Sequence, residues 1–126
     1  MKIYIAGSFN IAEEIHEHAH ELELAGHTVT SVWFQPHDPI EKIWDSNFGG
    51  RIAEVMALRD LDGIERADLV IIKTSAPSLS GGYHSELGYA LALKKRIVLI
   101  GPANNIFMSL VRESYDTWEE FLDDGI

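Results

Sequence analysis

Leu69-Val70-Ile71-Ile72, followed after a short gap by Ser80-Gly81-Gly82-Tyr83-His84-Ser85-Glu86-Leu87-Gly88-Tyr89-Ala90, reads as a strand, a glycine-rich turn and a helix in succession. The four apolar residues show no polar alternation, which is the pattern of a strand covered on both faces. Two adjacent glycines free the backbone to turn, and apolar residues then resume at helical spacing through Leu87, Ala90 and Leu93. A buried strand leading into a helix is half of a β-α-β unit, so a parallel sheet is expected.

The rest of the chain repeats that alternation. Ile3-Tyr4-Ile5-Ala6 reads as a first strand closed by Gly7-Ser8. Residues 10–25 put Ile11, Ile15, Ala19 and Leu22 on one helical face, with Gly26 as the stop. A second strand is expected over 28–33, a helix from Gly49-Gly50 to Ala67, a third strand over 68–73, a helix over 83–95 and a fourth strand over 96–101. Segment 34–48 holds Pro36, Pro39, Trp44 and Phe48; it is too long for a plain connector and reads as a lid. A short turn near 107–111 precedes Asp116-Thr117, which caps a last helix through Leu122. These elements predict one α/β domain over residues 1–126, a Rossmann- or flavodoxin-like parallel sheet with helices on both faces. With strand order 2-1-3-4, the turns at 7–10 and 77–82 meet in the ligand crevice.

At 126 residues the chain is long enough for one real core, and 46% hydrophobic residues exclude a disordered polymer. A formal charge of −10 argues against a nucleic-acid polymer or an anionic membrane surface as partner. A small phosphate ligand stays open, because a local nest of N–H groups overcomes a remote net charge. The absence of cysteine excludes disulfides, thiol nucleophiles and cysteine-based zinc sites. Met1-Lys2-Ile3-Tyr4-Ile5-Ala6-Gly7 has no signal-peptide pattern, and no apolar run is long enough to span a bilayer, so a cytoplasmic protein is expected.

Two acids sit where acids are expensive. At 100° per residue Glu86 points within about 40° of Ala90 and Leu93, on the packed side of its helix. Asp60 lies in the middle of the stripe formed by Ile52, Ala53, Met56, Ala57, Ile64 and Ala67, whereas Asp62 and Glu65 fall on the polar side. A carboxylate in such a place costs several kcal/mol unless it is paired or used. The wheel directs Arg59 and Arg66 away from Asp60, so an ion pair is not the expected explanation. Other motifs fail the same test. His16-Glu17-His18-Ala19-His20 matches the HExxH pattern, yet His16 and His20 point with Glu13 and Glu17 towards solvent, and no metal is expected. GxGxxG and GxSxG are both absent.

Ile3-Tyr4-Ile5-Ala6-Gly7-Ser8, Arg59-Asp60-Leu61 with Glu65-Arg66-Ala67-Asp68, and Ser80-Gly81-Gly82 with Glu86-Leu87-Gly88-Tyr89-Ala90 occur in this order and spacing. With them the chain resembles the nucleoside 2-deoxyribosyltransferase family, which includes the deoxynucleoside 5′-monophosphate N-hydrolases. The resemblance implies an enzyme of nucleotide salvage that cleaves an N-glycosidic bond without a cofactor. It makes Glu86 the nucleophile at C1′, Tyr4 the residue that orients it, and Asp60 the acid that assists the departing base. Gly7, Ser8, Ser80, Gly81 and Gly82 would hold the substrate, a small nucleoside or nucleotide. Trp33, Phe34, Trp44 and Phe48 divide between stacking the base and filling the core.

Six residues before the glutamate, the transferases have an acid and the monophosphate hydrolases a phosphate-binding serine; here the residue is Ser80. The hydrolases also carry an arginine in the first turn, where this chain has Phe9-Asn10. The expectation therefore leans to a 5′-monophosphate N-hydrolase passing the sugar to water. Its alternatives are a nucleoside 2-deoxyribosyltransferase acting on free nucleosides and, from another class, a non-catalytic nucleotide-binding or sensing domain. A related fold also serves NAD-cleaving enzymes. The family assembles as homodimers or higher homo-oligomers in which a neighbour completes the site, with Asn104, Asn105 and Ser109 as the candidates here.

Overall fold

The apolar runs become the centre of one sheet. The computed structural model describes residues 1–35, 51–75 and 82–126. Its strands are β1 (Lys2–Ala6), β2 (Thr28–Val29), β3 (Leu69–Lys73), β4 (Arg96–Ile100) and β5 (Glu113–Tyr115), all parallel, in the order β2-β1-β3-β4-β5. The helices are α1 (Ala12–Leu24), α2 (Arg51–Arg66), α3 (Gly82–Ala92) and α4 (Trp118–Asp124), with short 3-10 turns at Phe9–Ile11 and Ile106–Leu110. The α/β parallel-sheet architecture is the expected one. None of the helices among the described residues is long and apolar enough to cross a membrane.

Chain direction sorts the helices. The crossover from β1 to β2 runs opposite to those from β2 to β3 and β3 to β4, so right-handed connections put α1 on one face and α2 with α3 on the other. Side chains agree. A Cβ on Gly7 would meet Ile15 of α1 at 2.6 Å, whereas the Tyr4 ring, of opposite parity on the same strand, lies against Gly63 of α2. Helix α4 joins the α1 face, where Trp118 stacks on the buried His18 ring with centroids 4.0 Å apart. Ile3, Ile5, Leu69, Ile71, Val98 and Phe121 fill that layer, and Tyr4, Val70, Tyr83 and Leu87 fill the other.

Two departures from the expected strands have visible causes. Strand β2 stops at Val29; the Thr30 N–H still donates to the Ile3 carbonyl at 2.8 Å, and side chains then take over the pairing with β1. The Ile5 N–H donates to Ser31 Oγ at 3.0 Å, and Trp33 Nε1 donates to the Ile5 carbonyl at 2.7 Å. The fifth strand is short and polar, an edge strand held by Arg96, which grips Glu113 with two 2.8 Å hydrogen bonds. Helix α3 also ends earlier than expected, where Lys94 adopts a left-handed φ of 56° and the Lys95 N–H donates to Ala90 O. The proposed lid, including Pro36, Pro39, Trp44 and Phe48, lies outside the described residues apart from Phe34 and Gln35.

Candidate active site

β1 presents Tyr4 at the centre of the sheet, fully buried. Gly63 makes this possible: any Cβ there would lie 3.0 Å from the Tyr4 ring and 2.8 Å from Thr30 O, so only glycine lets the ring lie flat against α2. Glu86 comes from the second turn of α3, and Asp60 from the body of α2. The three expected catalytic side chains therefore converge between the sheet and its two-helix face.

Their electrostatics are unusual. Glu86 is partly buried as a residue, but its Oε2 is fully enclosed and has no hydrogen-bond partner among the described residues; the Tyr4 hydroxyl is in the same condition. No bond of good geometry joins them, yet they are close enough to influence each other's ionisation. Burial pushes the Glu86 carboxyl up to about 8, the Tyr4 hydroxyl pulls it down, and the charge of Asp60 adds to the rise. Burial first, then Glu86 and Asp60, drives the Tyr4 phenol far above its ordinary range, so it is a hydrogen-bond donor and never a base. A carboxyl and a phenol enclosed together, with no well-formed bond to any described residue, are rare in a folded core and make this a candidate ligand site.

Asp60 corrects the helix-wheel reading. It is 25% exposed and paired after all: Arg59 Nη2 and Nε approach its Oδ1 at 3.1 and 3.2 Å. The arginine is long enough to curl back across the 100° that separates neighbours on a helix. Arg66 does turn away, to Asp62 at 2.9 Å. A guanidinium beside a carboxyl favours its charged form, and it is as a charge that Asp60 raises Glu86.

The other expected site residues divide. Gly7 and Ser8 lie at the carboxyl end of β1, both buried, and the Ser8 hydroxyl donates to Asn10 Oδ1. Gly82 is the first residue of α3. Ser80 and Gly81 lie outside the described residues. Asn104, Asn105 and Ser109 all bond within their own chain. Asn104 Nδ2 donates to the Tyr83 hydroxyl, Asn105 Nδ2 meets His84 Nδ1 at 2.6 Å, and Ser109 Oγ donates to Ile106 O at 2.7 Å. Trp33 and Phe34 are core residues, whereas Phe9, 42% exposed, packs edge-on against Trp33 at 5.4 Å. His20 is exposed, and His16 is half-buried with its ring 6.0 Å from that of Phe34.

Two features were missed from the sequence. One is the Arg59 partner of Asp60. The other is Lys73, at the carboxyl end of β3, whose Nζ sits 3.2 Å from Glu14 Oε1 with only 12% of its side chain exposed.

Comparison with known proteins bears on the family and the fold. The family model for nucleoside 2-deoxyribosyltransferase matches residues 3–114. The solved 2-deoxyribosyltransferase of the psychrotolerant bacterium Bacillus psychrosaccharolyticus superimposes with a TM-score of 0.75 at 22% identity, covering 100% of this chain and 93% of that one. The Clostridium botulinum CMP N-glycosidase BcmB does so with a TM-score of 0.62, also at 22% identity, covering 98% of this chain and 96% of that one. At that identity the two structures speak to the fold. Among curated proteins no sequence matches significantly.

Proposed function

Because the chain belongs to the nucleoside 2-deoxyribosyltransferase family and is an enzyme of the N-glycosidase or pentosyltransferase type, we propose that it hydrolyses the N-glycosidic bond of a 2-deoxynucleoside 5′-monophosphate through a glycosyl-Glu86 ester. The observation that carries the reading is the enclosed Glu86 Oε2 and Tyr4 hydroxyl, which shift each other's ionisation and have no well-formed hydrogen bond among the described residues. That pair is suited to an atom arriving from outside the chain.

The chemistry follows from where the proton sits. In the free enzyme near neutral pH Glu86 holds a proton, and Asp60, paired with Arg59, does not. Moving that proton from Glu86 to Asp60 creates the nucleophile and the general acid in one step. The Glu86 carboxylate then bonds to C1′ as the C1′–N bond breaks, and Asp60 gives its proton to the base that takes the bonding pair. Tyr4 donates a hydrogen bond that holds the carboxylate in line. In the second half Asp60 accepts a proton from water, whose oxygen attacks C1′ and releases Glu86 with retention. A second nucleobase in place of water gives transfer.

Asn10 supports the free-nucleoside transferase as a second reading, since it stands where the hydrolases have an arginine and is bound to Ser8. Incubation with a panel of deoxynucleosides and their monophosphates, with and without acceptor base, followed by chromatography, decides between them. Faster release from monophosphates with no dependence on acceptor supports the hydrolase. Faster turnover of free nucleosides with sugar passed to the added base refutes it. Within the hydrolase reading Ser80 binds phosphate, and Ser80→Ala should erode the monophosphate preference by about ten- to a hundredfold. Self-association belongs to the same proposal: Ile106, Phe107 and Leu110 are exposed together on one 3-10 turn, and sedimentation should show more than a monomer.

A further inference from the structure

Glu86 Oε2 has no well-formed hydrogen bond among the described residues, so the helix that carries it sets where the carboxyl lies. Helix α3 is held at both ends. Near its carboxyl end the Tyr89 hydroxyl donates to Glu65, and Lys95 Nζ donates to the Glu65 and Ala67 carbonyls at 2.7 and 2.9 Å, which ties α3 to the end of α2. At its amino end two consecutive asparagines reach in from the loop after β4. Asn104 Nδ2 donates to the hydroxyl of the buried Tyr83, and Asn105 Nδ2 lies 2.6 Å from His84 Nδ1. Both contacts fall within one helical turn of Glu86.

The loop is itself anchored. Gly101 has a φ of 104°, and a Cβ there would lie 2.5 Å from the Thr74 carbonyl oxygen, so the backbones leaving β3 and β4 touch. Thr74 Oγ1 donates to Pro102 O at 2.7 Å. At the far end of the loop Asn105 caps the 3-10 turn, its Oδ1 accepting from the Phe107 N–H at 2.8 Å and the Met108 N–H at 3.1 Å. Those two donors fix the amide. Its oxygen is committed to the turn, its NH2 faces His84, and an NH2 only donates, so His84 Nδ1 accepts and the ring proton belongs on Nε2. We propose that Asn105, acting through His84, is a positioning residue for Glu86: it fixes the first turn of α3 so that the carboxyl stays in line with C1′. The inference rests on the glycosyl-Glu86 reading above and deepens it.

The experiment measures kcat, KM and the pH profile of base release, on the fastest substrate of the panel, in wild type, Glu86→Gln, Asn105→Ser, Asn105→Asp, His84→Leu and Asn105→Ser combined with His84→Leu, with thermal unfolding of each. Serine keeps a capping oxygen but is too short to reach His84, whereas aspartate keeps the cap and can re-form the bond with donor and acceptor exchanged. Asn105→Ser and His84→Leu should each lower kcat about ten- to a hundredfold with KM within about threefold, because a small misplacement of the nucleophile is felt in the reaction more than in binding. The double variant should be no worse than either single, since all three lose the same bond. Asn105→Asp should recover kcat to within about fivefold of wild type. Burial is the main cause that raises the Glu86 carboxyl to about 8, so the alkaline limb it sets should move lower in both singles as water reaches a loosened side chain. His84→Leu leaves the cap intact and carries the test if Asn105→Ser fails to fold. If Glu86→Gln abolishes base release but kcat and the limb stay unmoved in the singles, or the losses fall in KM or add in the double variant, the positioning assignment is wrong while the nucleophile stands. Base release retained by Glu86→Gln within about tenfold of wild type overturns both.

Discussion

Replacing Glu86 with glutamine should make the protein more stable in alkaline solution and no more stable in acid, while abolishing base release. In the folded chain the carboxyl is raised to about 8 from 4.5, so the native state holds its proton more tightly than the unfolded chain does. Between those two values the native state carries one more proton, and stability falls as pH rises. The loss is absent below about 4.5 and complete above about 8. Some 3.5 units at about 1.36 kcal/mol each set an upper bound near 5 kcal/mol, which water entering around the freed carboxylate reduces. Glutamine resembles the protonated acid at every pH. Urea unfolding of both proteins should therefore agree within about 1 kcal/mol at pH 5, whereas at pH 9 the variant should be more stable by about 2–5 kcal/mol. Titrating groups that do not interact with Glu86 are common to both proteins and cancel in the difference. Equal stabilities at pH 9, or a variant weaker than wild type there, would show that Glu86 is not held in a costly state. Retention of base release within about tenfold of wild type would remove it from the nucleophile's role.

The same proton makes kcat/KM fall as pH rises through about 8 in wild type, since the pair then loses the proton that the leaving base needs. Tyr4→Phe removes the hydroxyl whose pull lowers the Glu86 value, so this limb should move to higher pH as the rate drops; an unmoved limb would disconnect Tyr4 from Glu86. Asp60→Asn removes both the donor and a charge that raises Glu86. Its profile should invert, rising with pH below 8, with a larger rate loss for poor leaving bases than for activated ones. Its stability should change by no more than about 1 kcal/mol, because the Arg59 pair is partly exposed. Away from the site, Lys94→Gly should stabilise the fold by about 1 kcal/mol in thermal or urea unfolding, as glycine accepts the left-handed turn that ends α3; a loss of stability would contradict that account.

Much of this was legible in the sequence because the central strands are apolar on both sides and the helices between them have one-sided stripes. Glu86 and Asp60 stood out as acids on the wrong face. What escaped was local and side-chain driven. β5 escaped because Glu113, Ser114 and Tyr115 are an edge strand's residues and alternate weakly. β2 reads as longer than it is because Ser31 and Trp33 continue its hydrogen bonding through side chains, which backbone periodicity does not record. A helix wheel treats residues as unit vectors, so it excluded the Arg59–Asp60 pair that a flexible arginine makes. Lys73 read as the polar end of an apolar run, and its partner Glu14 lies 59 positions earlier, beyond any local pattern.

The position of β1 has a consequence in time. Its partners are β2, about 26 positions on, and β3, about 66 positions on, where Ile3 pairs with Leu69. The earliest of these five strands is thus flanked on both sides only once the third has been synthesised. Until then Ile3, Tyr4 and Ile5 are an apolar strand with bare edges, and Tyr4 has neither Gly63 nor Glu86 to lie against. Parallel pairing over such distances is slow to nucleate and exposed to misassociation while it waits. The catalytic pocket, built where β1, α2 and α3 meet, comes into being late, so a chain stalled before β3 carries the tyrosine of the site without the site.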